Sequence, residues 1–506
     1  MFKRFFILIV FLIAVALSFH LKNPNPRDFL SLEYANKINV DTLSYIVEVL
    51  AADSLEGRAT GTEGELKAAY FLSMLHIEND VMPFGKDYFQ EYEVVTPETP
   101  DVTIATDRAS YIVGQDFLSL FPHDSTGFSD DHIIYVGYGI EDNSWNDYAY
   151  RDVKGKIVLA KEGEPKDMFG VNILTATERK SEWSADPIHA YILKRKAAAE
   201  NGAKAFLYYA PKSFKIFKEI YNNIYKRNNP ASTIQKDTLY DFIINQKIMQ
   251  DLTGYESLDS VYYTGRRDRK WDVPVTIQYG SKNISVYSQN ILAYIEGKEK
   301  ADELILVIAN YDHLGKRHNK IFHGANNNAT GSAAIIELAR VFQLAANDGY
   351  HMARSLLFVH FSAREKDHLG AKFFFKRLPF PKERIKAVID IDMIGYLDTI
   401  SNEPSVTYMA NSLDDKKFFK KLKSVNKAGT KLDVRFLTHH SLFSNEKTAS
   451  DGIIFYKENI PVLTFHNTLL YPFNRTPEDT PDKITWDIYH HRVKYIFLTT
   501  WLLAND

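Results

Sequence analysis

The stretch ELILVIANYDHLGKRHNKIFHGANNNATGSAAIIELARVFQLA, residues 303–345, carries the pattern that decides the fold. Its first part, Leu304 to Ala309, is an unbroken apolar run, as a strand covered on both faces requires. A polar loop follows, closing on Gly324-Ala325-Asn326-Asn327-Asn328-Ala329-Thr330-Gly331. From Ser332 to Ala345 the apolar residues recur at helical spacing, which predicts an amphipathic helix. Working outward, ILAYIEG (291–297), SLLFVHF (355–361), AVIDID (387–392) and IPVLTF (460–465) are further short apolar runs of strand length. LKAAYFLSML (66–75) reads as a helix upstream. Strands alternating with helices predict an α/β fold, with a mixed, largely parallel central sheet covered by helices on both faces. In open sheets of this kind function sits at the carboxyl ends of the strands, so those ends are where chemistry is sought.

The chain has 506 residues, 45% of them hydrophobic and 25% charged, enough for more than one domain and against wholesale disorder. Lys+Arg is 61 and Asp+Glu 64, a formal net charge of −3, which gives nucleic acid no electrostatic footing as a partner. Cys is 0, which removes disulfides, cysteine nucleophiles and thiolate metal ligands.

Residues 1–20 read as an address. Lys3 and Arg4 precede an apolar run from Phe5 to Phe19, broken only by Ser18, and Ala16-Leu17-Ser18 offers small residues for cleavage. Fifteen residues of helix span ~22 Å, short of a ~30 Å hydrocarbon core. A cleaved export signal is therefore expected, with the mature chain starting near Phe19 to Leu21, in a periplasmic or extracellular setting. The alternative is an uncleaved anchor over residues 5–19, the one route by which a membrane would become a partner.

The middle of the chain has a different texture. IIYVGYGI (133–140) and GKIVLA (155–160) read as strands, 188–201 as a helix and AFLYY (205–209) as another strand. Residues 211–272, rich in Lys, Asn and Tyr, carry no clear assignment and read as a solvated face. The expected division is 21–130 and 286–506 for one domain, with 131–285 inserted into it.

Five blocks stand at or near the strand ends: Asn310-Tyr311-Asp312-His313-Leu314-Gly315, the Gly324–Gly331 loop, Ser362-Ala363-Arg364-Glu365-Lys366-Asp367, Asp392-Met393-Ile394-Gly395, and Asn474-Arg475-Thr476-Pro477-Glu478-Asp479-Thr480. In this order they resemble the co-catalytic zinc exopeptidases of metallopeptidase family 28, the group of bacterial leucyl aminopeptidase. The resemblance extends to Glu56-Gly57-Arg58-Ala59-Thr60-Gly61-Thr62-Glu63-Gly64-Glu65, and implies that the insert is a β-rich protease-associated domain. It also implies roles: a zinc-ligand His at position 310, a metal-bridging Asp at 327, a general-base Glu at 364, ligands at 365 and 392, and a last ligand His at 475. Two zinc ions so held would polarise a peptide carbonyl and supply hydroxide, while the Glu moves the proton.

This sequence departs from that pattern at four of the six positions. Asn310, Asn327, Arg364 and Arg475 stand there, and only Glu365 and Asp392 remain. A slip by one residue restores no Asp, because 326–328 are all Asn. Amides are poor zinc ligands, and a guanidinium is neither ligand nor base. The charges suggest ion pairs in place of metals: two retained carboxylates against two new arginines. Asp312, which the family would use to orient its ligand His, has nothing to orient with Asn310 there; His313 lies beside it. The expectation is thus an exported aminopeptidase homologue without hydrolytic activity and without a cofactor, binding a peptide or partner protein in its cleft. The alternative is an active zinc aminopeptidase with displaced ligands drawn from His313, His323, His368 and His466. A third reading is a structural envelope protein with the cleft closed.

Overall fold

The computed structural model describes residues 26–225, 239–259, 270–317, 320–398, 405–437, 449–467 and 471–505. The expected export signal at 1–20 lies outside the described residues. Among these, no helix is long and apolar enough to cross a membrane. The chain divides into two compact units, one built from residues up to Val94 together with Val286–Asp506, the other from Val95–Ser285.

The first unit is built on a nine-stranded mixed sheet. Its centre is four strands, β1 (Lys300–Asn310), β2 (Arg354–Phe361), β3 (Ile385–Ile391) and β4 (Val462–His466), in the order β2-β1-β3-β4 and all parallel. Asn283–Ile295 flanks β2 antiparallel, and Val406–Asn411 flanks β4 antiparallel. The alternation along β1 explains why it is covered twice. Ile305, Val307 and Ala309 face one apolar cluster; Leu304, Leu306 and Ile308 face another. The first cluster takes in α1 (Glu63–Glu78), α2 (Thr330–Asn347) and α3 (Trp486–Asn505); the second takes in the helices Leu369–Lys376 and Gly452–Lys457. Each Leu or Ile so buried stabilises by ~1.5–3 kcal/mol, which is why these strands are mostly apolar. The α/β expectation with helices on both faces therefore holds. Two surface cavities, of about 470 and 440 Å³, share Lys298 and His351 and lie at the opposite, amino-terminal side of β1.

Among the described residues the second unit holds two larger sheets of its own and one two-stranded sheet. One has six strands, with Ile133–Tyr135, Ile157–Lys161, Ala205–Tyr209 and Tyr240–Ile244 parallel at its centre. The other has four antiparallel strands, including Asp101–Thr106, Thr126–Asp130 and Val275–Gly280. These ladders correct the expected boundary. The unit begins at Val95 rather than 131, because the strands at 101–106 and 126–130 pair with 275–280. The expected strand 133–140 is cut to Ile133–Tyr135, since Gly137 and Gly139 take positive φ (62° and 68°). Where the 211–272 segment is described, most of its charges are exposed, as expected, but it also has a buried side. It supplies the helices Phe214–Tyr225 and Gln246–Thr253 and the strand Tyr240–Ile244, with Phe217, Tyr221, Phe242 and Ile248 buried. Among the described residues the unit is strand-rich, as expected, and carries three helices, Pro187–Glu200 being the first.

Candidate functional site

The carboxyl ends of the four central strands bring the singled-out residues together. β1 ends in Asn310, β2 leads through Ser362-Ala363 into the short turn Arg364–Lys366, and β3 is followed by Asp392. The loop Gly324–Ala329 enters α2 beside them, with a cis peptide between Asn327 and Asn328. Ala363, Asp367 and His368 have left-handed backbones (φ 54°, 61° and 56°), as do Met393 (57°) and Arg475 (59°). Non-glycine residues rarely sit there, so neighbouring contacts must hold these turns.

The holding contacts begin with Arg58. Its buried guanidinium donates to the carbonyl oxygens of Tyr311 (2.7 Å), His323 (2.7 Å), Gly324 (3.0 Å) and Leu50, tying the loop after β1 to the loop before α2. Glu65, from the same upstream segment, accepts from Ser288 Oγ (2.7 Å), Ser362 Oγ and the Gly61 amide (2.5 Å). It props up the turn that carries Arg364, and burial pushes its carboxyl up to about 7.

Asp312 has a role the sequence reading did not give it. It has no ligand histidine to orient; instead its carboxylate accepts the backbone N–H groups of Arg364 (3.1 Å) and Glu365 (3.3 Å) and the Thr60 hydroxyl (3.2 Å). It fixes the turn, not an imidazole. Burial first, then Glu365, Glu65 and Asp451, push it up to about 7.

The three asparagines are equally committed. Asn328 Nδ2 donates to Asn310 Oδ1 (3.2 Å) and Ile391 O (2.8 Å), and its Oδ1 accepts from the amides of Met393 (3.0 Å) and Gly331 (3.2 Å). Asn310 Nδ2 in turn donates to Asp312 O (3.1 Å). Asn327 Nδ2 donates to Asn474 Oδ1 (2.7 Å), while its buried Oδ1 has no partner. Asp479 accepts the amides of Asn326 (2.9 Å) and Asn327 (3.0 Å).

At the centre lies Arg364, almost wholly buried. Its Nη1 is 3.2 Å from Glu365 Oε1, its Nη2 is 3.9 Å from Asp392 Oδ2, and Nη2 also donates to Ala449 O at 2.9 Å. Burial alone would lower its pKa, but the surrounding Asp392, Glu365, Asp451 and Asp312 outweigh it and the pKa is raised. Arg475 closes the cluster from outside: its Nη2 stands 2.8 Å from Glu365 Oε2 and 3.0 Å from Oε1. Asp392 Oδ1 is buried and unpaired. His313 is buried with both ring nitrogens unpartnered. Burial, then Arg58, Arg475, Arg364 and Arg317, drive its pKa far below the ordinary range, so it is neutral.

These residues do not fit a pair of zinc ions. Zinc wants imidazole, carboxylate or thiolate donors in tetrahedral array. Here the carboxylates face guanidiniums, Asn310 is hydrogen-bonded through both ends of its amide, and the one imidazole sits among arginines that repel a cation. Among the described residues, no group of three or more His, Asp and Glu side chains is arranged to hold a metal. Sequence reasoning missed His368 and Asp451 as a pair (2.8 Å), Asp390 held by Ser450 and by Thr464 (2.9 Å), and Asp479. Of these only Asp479 carried a signal, in the block Thr476–Thr480.

Residues 290–500 match the sequence model of Peptidase family M28. The chain is similar to Aminopeptidase YwaD of Bacillus subtilis strain 168, 25% identical over 205 residues, which are 39% of this chain and 41% of that one. It is also similar to Leucine aminopeptidase 1 of Trichophyton equinum, 26% identical over 171 residues, 30% of this chain and 45% of that one. The chain thus spans less than half the length of these curated relatives. An aminopeptidase structure from Aneurinibacillus sp. strain AM-1 shares the fold, with a TM-score of 0.53 at 18% identity, over 94% of this chain and 96% of that one. These likenesses are to aminopeptidases, and the last of them shows a shared fold.

Proposed function

We propose that this M28 homologue is a pseudoenzyme, which keeps the peptidase fold, lacks hydrolysis and acts by binding a peptide or a partner protein at the face where the strands end. The observation that carries it is the Arg364 guanidinium, buried 3.2 Å from Glu365 and 3.9 Å from Asp392. Two buried carboxylates without a countercharge would cost several kcal/mol, and the arginine supplies that charge in place of a metal. Arg364 stands at the position where the resemblance puts a general base, and a guanidinium takes up no proton at usable pH. On this reading positions 310, 327, 364 and 475 are replaced family sites, the second unit is a protease-associated insert, and residues 1–20 direct export.

The displaced-ligand alternative finds its histidines otherwise engaged. His323 bonds Asp53 (2.8 Å) and Pro477 O (3.2 Å), and His368 bonds Asp451 (2.8 Å). His466 closes β4, and His313 sits among guanidiniums. The deciding experiment combines metal analysis of the dialysed protein with aminoacyl-anilide turnover, with and without chelator. The expected result is substoichiometric zinc and no turnover. Stoichiometric zinc with chelator-sensitive turnover would establish the alternative.

A further inference from the structure

The half-open edge of this cluster has a chemical preference of its own. Arg475 has its side chain 44% exposed, while Glu365 beneath it is only 8% exposed. Only Nη2 of the guanidinium is engaged, on the two oxygens of Glu365. Its Nε and Nη1 make no hydrogen bond among the described residues, so three of its five N–H donors face outward. The side chain is also aimed. The ion pair with a buried carboxylate fixes its far end, and the Asn474–Asn327 bond (2.7 Å) anchors the neighbouring residue. A guanidinium held in this way presents a flat fork that matches a carboxylate bidentately.

The surroundings add to its charge. Arg364 lies behind Glu365, and Lys366, next in the chain, has its pKa lowered by burial and then by the nearby Arg317. Against these cations stand Glu365 and Asp392, already facing guanidiniums, and the buried Asp312 and Asp451. Of these groups Arg475 is the exposed one, with its side chain 44% accessible.

We propose that Arg475 anchors a peptide carboxylate at this face, from a free C-terminus or an acidic side chain. This deepens the binding role argued above and rests on it. A peptide whose only charge is an N-terminal ammonium would be disfavoured by the same arginines.

The test is calorimetric titration of the full-length protein with three probes. These are N-acetyl-tetraalanine as the free acid, the same peptide as its C-terminal amide, and that amide with one alanine replaced by glutamate. Zinc is measured on the same sample. The acid-bearing probes are expected to bind about tenfold or more tightly than the neutral amide, and to weaken with added salt. Preference for the free acid alone assigns the C-terminus; equal binding of both acid-bearing probes assigns any carboxylate. Arg475→Ala should reduce binding to the level of the neutral amide, with Arg475→Lys intermediate. Equal affinity for acid and neutral amide overturns the proposal, as does an unchanged Arg475→Ala. In those cases a zinc-free sample leaves the pseudoenzyme reading standing. A zinc-loaded, hydrolytic sample overturns that reading instead.

Discussion

Arg364 is the residue on which the centre of the candidate site depends. Its removal in Arg364→Ala leaves Glu365 with only the half-exposed Arg475 and leaves Asp392 without a countercharge. Breaking a buried ion pair from one side costs ~3–5 kcal/mol, so urea denaturation of this variant should show a loss of that order. Arg364→Glu should lose at least as much and should gain neither zinc nor turnover, because Asn310, Asn327 and Arg475 stay in place; recovered chelator-sensitive activity would contradict this. At this scale the sequence was informative where a residue stands on a motif. Asn310, Asn327, Arg364, Glu365, Asp392 and Arg475 were named from their blocks; Arg364 meets Glu365 and Asp392, Arg475 meets Glu365, Asn310 meets Asn328 and Asn327 meets Asn474. His368 and Asp451 were not legible as a pair, because they come from separate elements 83 positions apart with no motif around Asp451. The role of Asp312 was not legible for a related reason. A carboxylate that accepts backbone amides looks the same in sequence as one that orients a side chain.

Elements were legible in proportion to their apolar content. The central strands announce themselves because both faces must be apolar, and α2 because one broad face must be. Phe214–Tyr225 was passed over although Phe214, Phe217, Tyr221 and Ile224 lie at helical spacing; the intervening Lys and Asn residues masked the period. Turns were the least legible, since their conformation is fixed by distant partners. The loop Gly324–Ala329 is the clearest case, its first amides held by Asp479 from 150 residues away, through Asn326 (2.9 Å) and Asn327 (3.0 Å). Asp479→Ala strands those two donors and the Tyr471 hydroxyl. Leaving buried donors unpaired costs ~1–3 kcal/mol, so a loss of that order is expected in denaturation. Amide exchange should show protection falling first across 325–329. Uniform loss over α2 as a whole would indicate that the loop is held by something else.

The molecule as a whole carries opposing titrations. His76 and His360 meet at 3.0 Å (Nε2 to Nε2) in the core, and burial lowers His76 to about 3 and His360 well below its ordinary value of 6.5. Below pH ~6.5 the unfolded chain takes up protons that these folded imidazoles refuse, so stability falls with acid by ~1.4 kcal/mol per pH unit for each group. Glu65, Asp312 and Asp390, all raised to about 7 by burial, act in reverse. Between pH ~4.5 and ~7 they hold protons in the folded state that the unfolded chain releases, so their contribution falls as pH rises. His313, driven far below its ordinary range, makes a third imidazole against the three carboxyls, so unfolding free energy should be nearly flat between about pH 5 and 6.5. The double variant His76→Leu, His360→Leu should become more stable on acidification over that window, whatever its cost at neutral pH; a parallel profile would show that the pair does not titrate on unfolding. The second unit, with its sheets internal to it, should fold cooperatively when residues 95–285 are produced alone, as a single sharp melting transition would show. Its two ends lie side by side, for the Glu98 amide donates to Lys282 O at 2.9 Å, just inside the Phe89–Pro97 and Asn283–Ile295 strands that pair in the main sheet. A chain that leaves and returns at one rung of a ladder is topologically a long hairpin. It follows that the whole cassette could be deleted and the gap bridged by a two-residue turn without rethreading any strand, or another domain with adjacent termini spliced in at the same stem.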